Sequence, residues 1–409
     1  MMNKEDITPQ NTVIINATNI GYKFHGLGIY SLSILRELSK LETRLNFIVY
    51  LNKSAASQIR KIHFPVNFIL KWVTSKVSPD YNFRGHLLRM IFSNLISLKY
   101  RKFVQFNTSQ LEINFFRSNQ IVTVHDVIPL LFKKFHKKQF IYFKLLLRFG
   151  LKKARYILTP SNHSKELLQQ IYNLTDDRIK VIYNGADTKT ESPDKINTQL
   201  KEKYILYVGR ICRMKNIRGL IESFGTVADK IPHKLIIVGN DWKAFIEELC
   251  FANIDFRLRE RIIYKQDISE FEKFSLLRNA DLMVFPSLYE GFGLPPIEAM
   301  ANGCPVIVSN NSSLPEICGN GAYYIDPKSN AEISNAIIKV LRNSELRNEL
   351  IEKGKQRAAF FKWEFSAIKH LHIFEQISEC SKFPVEEKDT LFSSILNPAK
   401  NNVISEAQL

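Results

Sequence analysis

The chain is 409 residues long, 45% hydrophobic and 24% charged, with a formal net charge of +17. That length suits two domains rather than one core, and no apolar run reaches the roughly 18–20 residues needed to span a bilayer. The opening Met1–Pro9 lacks a basic-then-apolar signal pattern, and Cys212, Cys250, Cys304, Cys318 and Cys380 show neither metal-type nor paired spacing, which fits a reducing cytosol. Strands are expected at Thr12–Ala17, Asn46–Leu51, Asn67–Val73, Lys102–Asn107, Ile121–His125, Tyr156–Pro160 and Lys180–Tyr183. Helical periodicity follows Gly28, runs near Phe140–Lys153 and resumes after Ser164. A second series of strands is expected at Tyr204–Val208, Lys234–Val238, Arg261–Tyr264, Leu282–Phe285, Val306–Ser309 and Ala322–Ile325, with helices between them. This alternation predicts an α/β protein of two doubly wound parallel sheets facing a cleft. The polar Thr188–Asn197 marks the boundary. Residues 1–195 then form the first domain, 196–380 the second, and 381–409 a polar tail that packs back on the first domain or stays disordered.

Charge divides along the same line. Residues 1–200 hold 30 Lys+Arg against 13 Asp+Glu, whereas 201–409 hold 27 of each, so the whole excess lies in the first half. Such asymmetry predicts an anionic partner for that half.

Four constellations carry the chemistry. In Glu290-Gly-Phe-Gly-Leu-Pro-Pro-Ile-Glu298 two acids bracket a glycine loop between a buried strand and a helix whose first turn accepts Pro295 and Pro296. Unpaired N–H groups at such a helix start bind anions, and flanking carboxylates suit sugar hydroxyls, so a nucleotide sugar is the ligand that fits both. In Tyr207-Val-Gly-Arg-Ile-Cys-Arg-Met-Lys-Asn216, Gly209 permits close backbone approach, while Arg210 and Lys215 supply the cations a diphosphate needs. His125 and Asp126 close a strand of the first sheet on the side of the cleft. Gly26 and Gly28 lie in a glycine loop between the first strand and first helix.

These features, with Pro160-Ser-Asn-His-Ser-Lys-Glu-Leu167, Val181-Ile-Tyr-Asn-Gly-Ala-Asp187 and Gly303-Cys-Pro-Val-Ile-Val308, occur in the order seen in retaining glycosyltransferases of family 4, which the chain resembles over roughly residues 12–327. The resemblance implies the GT-B fold, two Rossmann-like domains enclosing the donor. It implies that Arg210 and Lys215 hold the donor diphosphate and that Glu298 accepts from the ribose hydroxyls. Glu290 would contact donor-sugar hydroxyls, and the backbone of Phe292, Gly293 and Leu294 would line phosphate and sugar. It places His125, with Asp126, beside the reacting carbon, orienting the sugar or stabilising positive charge, and Gly26 and Gly28 near phosphates and acceptor. Tyr30 matches mannosyltransferase-like members, whereas Ile29 stands where many of them carry Arg.

No Asp-x-Asp occurs, so the expected mechanism uses no metal and no cofactor, with leaving-group charge met by Arg210, Lys215 and the helix start. Arg84–Lys102 and Phe132–Lys153 mix cations with large apolar residues, as a peripheral segment on the anionic inner face of the cytoplasmic membrane would. The expected function is hexose transfer, mannose from GDP-mannose favoured, to a lipid-linked or polysaccharide acceptor in cell-surface glycan synthesis. The competing readings are a catalytically silent glycan-binding scaffold and, further off, a nucleic-acid-binding protein, for which no recognition module is visible.

Overall fold

The computed structural model describes residues 7–22, 26–187 and 202–378. In the first half β1 (Thr12–Asn16), β2 (Asn46–Asn52), β3 (Phe68–Val73), β4 (Val104–Asn107), β5 (Gln120–Thr123), β6 (Tyr156–Thr159) and β7 (Ile179–Val181) pair in parallel in the order β3-β2-β1-β4-β5-β6-β7. In the second, β8 (Tyr204–Val208), β9 (Lys234–Gly239), β10 (Ile262–Gln266), β11 (Leu282–Phe285), β12 (Val306–Ser309) and β13 (Ala322–Ile325) pair in parallel as β10-β9-β8-β11-β12-β13. Every expected strand is present. Strands near the middle of each sheet, such as β1, β8 and β11, are short apolar runs with every residue buried, because a parallel sheet is covered by helices on both faces, whereas the edge strands β3 and β10 carry Lys71 and Lys265 and are partly exposed.

Winding reverses between β1 and β4 in one sheet and between β8 and β11 in the other. At each reversal adjacent connections leave toward opposite faces, which opens a crevice at the carboxyl ends of the strands. The expected Lys102–Asn107 strand starts at Val104 and the expected Ile121–His125 strand ends at Thr123, so His125 and Asp126 lie just beyond β5. The helix expected near Phe140–Lys153 begins earlier, as Lys137–Ile141, a π-turn at Tyr142–Leu147 and Arg148–Lys153.

One helix crosses between the halves. Trp363–Ile377 falls in the range expected for the second domain, yet Trp363, Ala367, Leu371 and Phe374 pack in the core of the first, with Ile15, Ile34 and Phe47. Its apolar positions recur every three or four residues, and that stripe fits against the Gly26–Leu38 helix; Phe374 lies 5.1 Å from Phe106, centroid to centroid. The crossing is anchored where Ala186 N–H donates to Phe361 O at 2.8 Å. The expected boundary at 195/196, the 381–409 tail and Cys380 lie outside the described residues; the other four cysteines are free thiols. Among the described residues no helix is long and apolar enough to cross a membrane.

Candidate active site

The chain leaves β8 at Gly209 and makes a 3-10 turn, Arg213–Lys215, before the helix Ile217–Val227. Lys215 therefore sits in the turn rather than at the helix start. Asn216, at φ 52° and ψ 43°, reverses the chain in the left-handed region that Asn tolerates better than most residues, and its side chain donates to Pro327 O at 2.7 Å. That turn aims Lys215 at the loop following β11, where its Nζ meets Glu290 Oε1 at 2.5 Å. Ser287 Oγ donates to the same oxygen at 2.7 Å. Glu290 is buried, and with Oε1 doubly engaged its Oε2 is the oxygen left to accept from a hydroxyl. The Arg210 guanidinium is exposed and makes no ion pair among the described residues; its charge is felt at His136 in the other domain, so it stands at the mouth of the cleft.

The 290–293 loop is held from both domains. Glu290 N–H donates to Ser312 Oγ at 3.0 Å, and Ser313 Oγ donates to the carbonyls of Glu290 and Phe292, both at 3.1 Å. Across the cleft Ser161 Oγ donates to Gly291 O at 2.7 Å. Gly291 tolerates no side chain: a Cβ there would lie 2.3 Å from His125 O and 3.0 Å from Asp126 Cβ. Gly293, at φ +99°, makes the left-handed step that opens the helix Leu294–Ala301 with two prolines in its first turn. Leu294 packs against the cores of both domains. The helix points its unpaired amide groups into the crevice between β8 and β11, where an anion is stabilised.

From the first domain come His125 and Asp126. His125 Nε2–H donates to Thr108 O at 3.0 Å, and burial lowers the imidazole pKa to about 4 against the opposing pull of that carbonyl. The ring is neutral at physiological pH, so Nδ1 carries an acceptor lone pair. Tyr30, which lies in the Gly26–Leu38 helix rather than in the loop expected there, supports the ring edge to face at 4.6 Å between centroids. His370 Nδ1–H donates to Ser366 O at 2.7 Å, so the neutral ring accepts the Tyr30 hydroxyl proton at Nε2, also 2.7 Å. The crossing helix thus reaches the site through Tyr30. Asp126 Oδ1 accepts from Ile128 N–H at 3.0 Å; its pKa is raised, first by burial and then by Glu290, against the pull of Lys215.

Glu298 lies one helical turn further on, buried in an ion pair with Lys273 at 3.0 Å. Burial and nearby Glu270 and Asp187 raise its pKa although Lys273 opposes them. Burial alone would lower Lys273, and the charges of Glu298 and Glu270 raise it instead. Gly26 and Gly28 form the first turn of the Gly26–Leu38 helix; a Cβ at Gly26 would meet nothing within 4 Å, whereas one at Gly28 would reach Asn19 O at 3.6 Å. At Gly209 a Cβ would come within 2.7 Å of the Tyr207 hydroxyl.

Sequence reasoning missed three groups of partners. Lys273 is one, hidden in the polar Glu270–Asn279 helix. Ser287, Ser312 and Ser313, the loop clamps, are another. The third is Glu316, whose carboxylate accepts from the amides of Asn162 and His163 at 2.7 and 3.0 Å and from Tyr183 Oη at 3.0 Å. The Pro160–Leu167 motif is therefore a latch between domains, with the start of the Asn162–Tyr172 helix gripping a carboxylate of the other half.

Residues 188–357 match the sequence model of the glycosyl transferases group 1, and residues 25–190 that of glycosyltransferase family 4. The O-antigen chain mannosyltransferase RfbU of Salmonella typhimurium is 28% identical over 334 residues, 80% of this chain and 90% of that protein. The O-antigen chain mannosyltransferase B of Escherichia coli is 29% identical over 254 residues, 60% of this chain and 67% of its own. Among solved structures, sucrose-phosphate synthase from Thermosynechococcus elongatus superposes with a TM-score of 0.72 at 18% identity, over 91% of this chain and all of that one. WaaG, a glycosyltransferase involved in lipopolysaccharide biosynthesis, gives 0.68 at 15% identity, over 88% and 99%. Those structural likenesses are of fold, while the sequence matches run through both halves and through the Lys215–Glu290 crevice. The chain is a glycosyltransferase of family 4, with the GT-B fold.

Proposed function

We propose that the enzyme transfers a hexose, mannose from GDP-mannose in the first instance, with retention of anomeric configuration and without a metal ion or cofactor. The acceptor is a lipid-linked or polysaccharide glycan of the cell surface, met at the cytosolic side of the membrane. What carries the reading is the Lys215–Glu290 pair, 2.5 Å apart at the β8/β11 reversal and faced by the His125–Asp126 turn of the other domain. A cation and helix amides on one side, and an acceptor carboxylate and neutral imidazole on the other, suit a diphosphate joined to a sugar. The mannose assignment is supported by the two relatives, both O-antigen chain mannosyltransferases. Nucleotide-sugar chemistry is supported by a fold neighbour, HepE of Anabaena, solved with UDP-glucose.

In the transfer step the bond from C1 to the diphosphate oxygen breaks and a bond from C1 to the acceptor hydroxyl oxygen forms. The leaving electron pair goes to the diphosphate, where Lys215, Arg210 and the amides of Phe292–Leu294 absorb the charge, and the acceptor hydroxyl proton passes to the departing diphosphate oxygen on the same face of the sugar. Glu290 Oε2 and His125 Nδ1 accept from sugar hydroxyls and fix the ring, and Glu298, through the oxygen not held by Lys273, accepts from the ribose. The test is transfer from a panel of nucleotide sugars with and without chelator. Activity should persist in chelator and drop about 100-fold or more in Lys215→Ala and Glu290→Gln. Each variant leaves one member of a buried ion pair uncompensated and so lowers the melting temperature as well, and the rates are compared at a temperature where both variants are folded. Full activity in either variant removes that residue from the mechanism, and loss in chelator restored by Mn²⁺ removes the metal-free step.

A further inference from the structure

The first domain presents an apolar face that its own core does not use. On the Asn82–Lys99 helix Leu87, Leu88, Ile91, Leu95 and Leu98 are all exposed, Leu95 and Leu98 by 56% and 58%. Their spacing of three and four residues puts them on one stripe. On the helical run 137–153, Ile141, Leu145 and Phe149 make a second stripe at intervals of four, with Phe149 62% exposed. The 113–117 segment joins the two. Phe115 N–H donates to Asn94 Oδ1 at 3.3 Å, Arg117 reaches Ser97 O at 3.5 Å, and Lys153 lies over the Phe116 ring at 5.9 Å. Phe116, 84% exposed, thus stands between the stripes. At the far end exposed Phe135 carries Arg213 of the second domain over its ring at 5.4 Å, so the face runs up to the mouth of the catalytic cleft.

Charge identifies what covers this face. Residues 81–165 contain 16 Lys+Arg and two acids, Glu112 and Asp126. Neither acid belongs to the surface in question: Glu112 is fully buried in an ion pair with Arg89, and Asp126 is in the active site. Thus 14 of the 17 net charges of the chain fall in 85 residues. Arg84, Lys144, Arg148 and Lys152 are exposed and form no ion pair among the described residues. A protein partner or second copy of this chain would have to match large apolar side chains interleaved with uncompensated cations, and a second copy would set like charges against each other. An anionic lipid surface satisfies both at once, taking apolar side chains below its headgroups and cations among them.

We propose that this face docks on an anionic phospholipid bilayer, with the two helices lying in the interface, Phe116 inserted between them, and the cleft opening at its edge. Any lipid-linked acceptor would then arrive in the plane of the active site. The experiment is flotation of the full chain with phosphatidylcholine vesicles with or without 30 mol% phosphatidylglycerol, at low and high salt. Partition should require the anionic lipid and weaken with salt. The triple variant Lys144→Gln/Arg148→Gln/Lys152→Gln should lower it about 100-fold, since each cation near the surface contributes about a fivefold gain. Leu95→Ser/Phe116→Ser/Phe149→Ser should lower it by at least as much while leaving transfer to a soluble acceptor and the melting temperature unchanged. Binding by either variant at the wild-type level, or equal binding to neutral vesicles, overturns the proposal. So does sedimentation showing a wild-type dimer that the serine variant dissociates, because the occupant is then a second copy. Vesicle binding needs no donor sugar, so failure here and failure of the transfer reading are separate results.

Discussion

Replacing Gly291 with alanine asks whether the two domains must touch for the chemistry to proceed. The added methyl would sit 2.3 Å from His125 O, whereas an ordinary carbon–oxygen contact is about 3.3 Å or longer. The obstacle is backbone rather than a yielding side-chain tip, so either the 290–293 loop or the whole second domain moves by about 1 Å. Overpacking inside a single core costs about 1–3 kcal/mol. Here the clash lies between domains that can part, so the expected loss of stability is at the low end, about 1 kcal/mol. Catalysis has no such escape, because the same displacement separates Lys215 and Glu290 from His125. A misplacement of about 1 Å is worth roughly 100-fold in rate. The assay is steady-state sugar transfer beside thermal melting, with Gly26→Ala, where the methyl meets no atom within 4 Å, as the comparison. Gly291→Ala turning over within twofold of the wild type would refute the argument that loop and turn act as one unit.

Lys273→Met leaves Glu298 buried without its partner and should destabilise by about 3 kcal/mol, most of it recovered in Lys273→Met/Glu298→Gln; equal urea midpoints for single variant and wild type would contradict this. His125 and His370 are both brought to about 4 by burial, from an ordinary value near 6.5. A depressed pKa means that the unfolded chain takes up protons first, so the stability these residues lend is complete above about pH 6.5 and is lost as pH falls toward 4. His370→Gln should flatten the acid limb of a melting-temperature profile between those values, and an unchanged slope would show that ring to be irrelevant to it. Glu316→Ala removes the carboxylate gripping the start of the Asn162–Tyr172 helix and should raise KM several-fold with little change in melting temperature; unaltered KM and kcat would dismiss the latch.

Strands were legible because burial on both faces of a parallel sheet leaves a continuous apolar run, and β1, β8 and β11 are such runs. The Lys215–Glu290 pair was legible as two motifs, since Gly-Arg…Lys-Asn and Glu-Gly-Phe-Gly each encode a turn with a charged residue at its edge. Which partners hold those residues was not. Lys273 and Glu316 approach Glu298 and Asn162 across 25 and 154 residues of sequence, and nothing local marks either as paired. Tyr30 matched a family position, yet the side chain turns inward to His370, a contact spanning 340 residues. The Trp363–Ile377 helix read as part of the second domain by adjacency, because an apolar stripe shows that a helix is covered without showing by what.

That last helix has a consequence for how the protein is made. Synthesis completes all seven strands of the N-terminal sheet well before Trp363 leaves the ribosome, so the groove beside the Gly26–Leu38 helix waits, uncovered, while the whole second sheet is translated. The nascent first domain must persist with Phe47, Phe106 and Ile34 in contact with water, a state open to chaperones and to aggregation. An N-terminal fragment expressed alone should therefore be less soluble than one supplied in trans with the 363–377 peptide.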